Sequence, residues 1–63
     1  MEIKIGSTLQ IYFNDGNINN AIVEVRAIVD NLQVVVKHPS GNYTMFPKDY
    51  LEYLLEGKYL TIL

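Results

Sequence analysis

The sequence has no cysteine and no tryptophan among its 63 residues, and only one histidine, two prolines and five basic side chains. Each shortage closes a route. Without cysteine, no disulfide or thiolate-bound metal can staple the fold, so one hydrophobic core must hold it. A chain this size buries only about 60% of the surface its unfolded form exposes, so that core has little margin. The lack of cysteine also fits a reducing compartment, and a cytoplasmic location is expected. A lone histidine falls short of the several nitrogen or sulfur ligands of a zinc site, so neither a metal nor a cofactor is expected. The basic residues Lys4, Arg26, Lys37, Lys48 and Lys58 are scattered, and the net charge is −2. Binding to duplex DNA draws on grouped lysine and arginine instead. Apolar runs are short. None approaches the roughly 20 residues of a membrane span, so no membrane partner is expected. The opening MEIKIGS lacks the basic segment and apolar stretch of a secretory signal. The sequon Asn42-Tyr43-Thr44 therefore reads as coincidence.

What the chain does have is alternation. In residues 21–37, Val23, Val25, Ala27 and Val29 alternate with Glu24, Arg26 and Ile28. After Asp30-Asn31, the residues Leu32, Val34 and Val36 alternate with Gln33, Val35 and Lys37. A period of two rich in β-branched residues predicts two strands of a hairpin. Asp and Asn tolerate positive φ, so a two-residue turn at Asp30-Asn31 is expected. It would pair Val29 with Leu32, Ala27 with Val34 and Val25 with Val36, placing all six on one core face. Glu24 would then face Lys37, an opposite-charge cross-strand pair worth about 0.2–1 kcal/mol.

Around this hairpin the remaining elements are short. Glu2–Ile5 alternates and reads as a lead-in strand or barrel edge, broken by Gly6-Ser7. Thr8–Phe13 predicts a strand with Leu9, Ile11 and Phe13 on one side and Gln10 and Tyr12 on the other. Asn14–Asn20 is a polar loop with a turn at Asp15-Gly16, and Ile18 is placed to plug the core. His38–Asn42 is a turn suited by Pro39 and Gly41. Tyr43–Phe46 is a short strand whose register leaves open whether Met45 or Phe46 faces the core. In Pro47–Glu56 the period changes: Tyr50, Leu51, Leu54 and Leu55 repeat at helical spacing, Pro47 suits the start and Gly57 the stop. Tyr59–Leu63 predicts a closing strand. The expected fold is mainly β, a single domain over residues 1–63: a five-stranded small barrel with one short helix before the last strand. Closure would remove exposed edges.

Gly41, Phe46, Pro47 and Tyr50, in the pattern G-x4-FP-x-x-Y-L, resemble the end of an SH3 domain, where a Gly-bearing turn and strand lead through an apolar residue and Pro into a short helical turn carrying a Tyr. Leu9–Asp15 is loosely similar to that family's opening strand. The order of strand, loop, long hairpin, short strand, helical turn and strand is similar too. The resemblance implies an SH3-like barrel with Phe46 in the core. It also implies a groove for proline-rich peptides drawing on Tyr12, Pro47 and Tyr50. The chain departs from the family in having no Trp, a shorter first loop and a helix longer than one turn.

Catalytic patterns are absent from the sequence. His38 has no second His, no Cys and no orienting partner visible beside Ser40, and reads as a polar residue at a strand end. Asp15, Asp30 and Asp49 read as turn and helix-start chemistry, and no calcium loop, phosphate loop or nucleophile elbow occurs. No enzyme is expected; one would require a cleft around His38. Tyr50 and Tyr53 sit three apart on one helical turn and should be neighbours. Ile28, Val35 and Met45 or Phe46 form a second apolar line on the outer hairpin face, with Arg26 among them. The expected function is a non-catalytic module that binds a partner protein, or itself as a homo-oligomer, through Tyr12, Arg26, Ile28, Val35, Pro47, Tyr50 and Tyr53. The alternative is a nucleic-acid-binding module that stacks bases on Tyr12, Tyr50 and Tyr53 with Lys48, Lys37 and Arg26 nearby, in a salt-dependent manner.

Overall fold

Among the described residues, five antiparallel strands and one helix follow each other as β1 (Thr8–Ile11), β2 (Ile22–Val29), β3 (Gln33–Lys37), β4 (Tyr43–Pro47), α1 (Lys48–Glu56) and β5 (Leu60–Ile62). The computed structural model describes residues 2–12 and 21–63. The expectations for Phe13 and the 14–20 loop, including Asp15 and Ile18, lie outside the described residues. The strands form one sheet in the order β4-β3-β2-β1-β5. Helix α1 packs against both edge strands, β4 and β5. This is the mainly β, five-stranded architecture with a helix before the last strand that the alternation predicts.

The core is aliphatic but for Phe46. Leu9 and Ile11 from β1, Val23 and Val25 from β2, Val34 and Val36 from β3, Phe46 from β4, Leu51 and Leu54 from α1 and Leu60 from β5 are all buried. Ile3 joins them, but its segment is not a strand. Residues Lys4–Ser7 instead form a turn, with Ser7 N donating to the Lys4 carbonyl at 3.0 Å. Gly6 holds φ +91° there, a conformation that suits Gly because it has no Cβ.

The central hairpin departs from the expected register in its outer half. Glu24 pairs with Lys37 and Val25 with Val36, as expected, but Ala27 then pairs with Val35, Ile28 with Val34 and Val29 with Gln33. Arg26 is the extra residue of a β-bulge. A bulge flips every later side chain on its strand and bends it. Ile28 therefore turns inward and packs on the core, while Ala27 joins the outer face. Val29 and Leu32, expected inside, are 45% and 67% exposed. Asp30 and Asn31 both adopt positive φ, +52° and +57°, as a type I′ turn requires, and Leu32 N donates to the Val29 carbonyl at 2.9 Å.

The next connection, residues 38–42, has an odd count between Lys37 and its partner Tyr43. That count decides the open question of β4: Phe46 is buried at 5% exposure and Met45 is 56% exposed. Pro47 ends β4 and is the N-cap of α1 rather than its first helical residue, with φ −58° and ψ 136°. The hairpin turn meets the helix start here: Lys48 N donates to the Leu32 carbonyl at 2.8 Å, satisfying one of the donors a helix N-terminus leaves unpaired. At the other end, Lys58 N bonds the Leu55 carbonyl and Tyr59 N the Leu54 carbonyl. These are the two bonds of a Schellman motif. Its left-handed residue is Lys58, at φ +64°, whereas Gly57 sits in right-handed geometry at φ −77°.

Candidate interaction surface

The bulge and the strand registers lay out the outer face in rows. One row runs Met45–Val35–Ala27 across β4, β3 and β2; a second runs Tyr43–Lys37–Glu24–Thr8 across β4, β3, β2 and β1; a third runs Pro47–Gln33–Val29. The first is apolar throughout. Tyr43, Met45 and Val29 stand exposed on it or beside it, and Val35 and Ala27 are half-buried.

The polar row carries the charge. Arg26 Nη1 donates to Glu24 Oε1 at 2.7 Å. This hydrogen bond, then the charge of Glu24, raise the Arg26 pKa above its ordinary value. Arginine is already fully charged at neutral pH, so the shift changes nothing there. Glu24 thus faces Lys37 in the ladder, as expected, but its carboxylate ion-pairs with Arg26. Being exposed and two residues apart, the pair contributes little to stability.

Beside this row, Thr8, Ile22, Val23, Glu24, Lys37, His38 and Pro39 border an open depression of about 330 Å³. His38 Nε2 and Thr44 Oγ1 share a hydrogen bond of 2.7 Å. Among the described residues no group of three or more metal-binding side chains occurs, and none of the helices is long and apolar enough to cross a membrane.

The residues expected to bind a partner do not all converge. Val35 and Arg26 lie on the outer face, and Pro47 stands exposed at its edge. Ile28 does not belong there, because the bulge has turned it to the core. Tyr50 is half-buried, its ring stacked on Phe46 with centroids 5.9 Å apart; its helical neighbour Tyr53 is 64% exposed. Tyr12 is exposed at the end of β1, its N–H bonded to the Tyr59 carbonyl at 2.7 Å. The basic trio also separates. Arg26 and Lys37 flank Glu24, whereas Lys48 Nζ donates to Asn31 Oδ1 at 2.7 Å beside the helix start. Tyr43 and Val29 were not among the expected contacts. The bulge that exposes Val29 leaves no mark in the hydrophobic pattern. Tyr43 shares its face with Met45, so the register left open for that strand left its direction open as well.

Comparison with known protein families, with curated proteins and with solved structures finds no match.

Proposed function

We propose that this chain is a non-catalytic SH3-like binding module whose partner is another protein, held on the outer face of β2, β3 and β4. The observation that carries the reading is the apolar row Met45–Val35–Ala27, bordered by Tyr43 and Val29, both exposed. An apolar patch with a polar margin is the usual composition of a protein contact surface. Glu24, Arg26 and Lys37 supply that margin on one side. The strand order, the helix before the last strand and the buried Phe46 support the SH3-like reading. The proline-rich groove does not form part of the proposal, since Tyr50 spends a ring face on Phe46.

Val35→Glu tests it. The substitution places a charge mid-row without touching the core, so circular dichroism should be unchanged while capture of the partner from a lysate of the source cells is lost. Undiminished capture of the same protein, identified by mass spectrometry, would remove the outer face from consideration.

A further inference from the structure

Edge strand β4 carries a second and separate possibility, set by its main chain. His38 N donates to the Asn42 carbonyl, and Lys48 N donates to the Leu32 carbonyl. With the register Val36↔Thr44 and Val34↔Phe46, these bonds fix the phase of the β3–β4 ladder. Thr44 and Phe46 turn their N–H and C=O toward β3. Tyr43, Met45 and Pro47 turn theirs away. No turn, loop or side-chain hydrogen bond among the described residues engages the main chain of Tyr43 or Met45. An edge with free donors and acceptors is a template for another strand.

We propose that two copies of this chain join edge to edge through β4, antiparallel about a two-fold axis at Thr44. Tyr43 of each copy pairs with Met45 of the other, and each pair exchanges both of its main-chain bonds. The register selects itself. A shift of two residues one way sets Pro47, which has no N–H, opposite Tyr43. A shift the other way sets Gly41 opposite Met45, and Gly41 is in a turn at φ +97°. The Tyr43–Met45 pairing uses both outward donors of each strand and keeps the Pro47 ring, which stands where an N–H would be, off the opposing Tyr43 carbonyl.

The side chains agree with the main chain. Tyr43 and Met45 both project from the outer face, 58% and 56% exposed, and become cross-strand neighbours, an aromatic–thioether contact of the favourable kind. Each apolar row Ala27–Val35–Met45 continues into Tyr43 and Lys37 of the other copy. The two Lys37 side chains fall on different rows, so no like charges oppose each other. The interface is isologous and closes as a dimer.

Sedimentation and amide exchange across micromolar to millimolar concentrations test this. A reversible dimer is expected, with exchange at Tyr43 and Met45 slowing as concentration rises and Thr44 and Phe46 unaffected. Met45→Pro deletes an outward N–H that β3 does not use, and should raise the dissociation constant roughly ten- to a hundredfold. If that variant does not fold, the concentration-dependent exchange of the unaltered chain still decides. Val35→Glu leaves the edge donors intact, so the dimer should survive it, which separates this proposal from the face reading. A monomer at every concentration, a dimer indifferent to Met45→Pro, or protection appearing at Leu60 and Ile62 of β5 instead would overturn it.

Discussion

The end of α1 offers a sharp test, because glycine and the left-handed conformation have come apart there. Lys58 holds φ +64° as the left-handed residue of the Schellman motif, one position after the glycine. A left-handed conformation costs a residue with a Cβ about 1–2 kcal/mol. Glycine escapes that cost but gives back roughly 0.4–1 kcal/mol through a freer unfolded chain. Lys58→Gly should therefore be more stable than Lys58→Ala by about 1 kcal/mol. Comparing those two variants cancels the loss of the lysine charge near the helix dipole. In a domain this small the difference corresponds to roughly 4–8 °C in Tm, readable by urea and thermal unfolding followed by circular dichroism. Gly57 provides the control. Its φ of −77° suits any residue, yet an added Cβ would sit 2.9 Å from Tyr59 Cδ2 and Cε2. Gly57→Ala should cost stability in the native background and become neutral or favourable in Tyr59→Ala. If Lys58→Gly is no more stable than Lys58→Ala, or the cost of Gly57→Ala persists without the Tyr59 ring, the assigned helix end is wrong.

Three further substitutions examine the connections on either side of β3. Asn31→Gly, at φ +57°, should stabilise by a few tenths of a kcal/mol or more, since the second position of a type I′ turn favours glycine. The hydrogen bond it removes, from Lys48 Nζ, is exposed; a loss of stability in urea unfolding would show that this bond matters more than the turn. Phe46→Ala should cost about 3–5 kcal/mol, near the whole stability of a small domain, whereas Met45→Ala should cost less than about 0.5 kcal/mol in the same assay. Equal effects would contradict the β4 register.

Most of the architecture was legible because it rests on periodicity. Val23, Val25, Val34 and Val36 alternate, Leu51 and Leu54 follow a helical period, and all six are buried. What alternation could not show was the single extra residue at Arg26. Arg26 occupies an outward position whether or not it is bulged, so its chemistry does not mark the slip. From that point every side chain of β2 changes face, which is why Ile28 left the expected surface while Val29 entered solvent. The loop count at 38–42 acted in the same way on β4, choosing Phe46 over Met45 although both are apolar. The candidate surface was thus half visible. Val35 and Arg26 lie close to the points where pattern and register agree, and the misplaced residue lies beyond the bulge.

Pro47 shows how closely the edge, the helix and the surface are linked. It sits where its missing N–H faces away from β3, so the ladder loses no bond. Its fixed φ, near −65°, also suits the residue that leads into a helix. A residue with a free N–H there would lengthen the open edge of β4 by one donor, and the pairing window now limited to Tyr43 and Met45 would admit a second register. Placing proline at the last strand position therefore does two things at once: it turns the chain into α1, which packs on both edge strands, and it restricts what can add to the edge that remains open. Such a restricted edge favours a defined, weak contact over open-ended sheet growth.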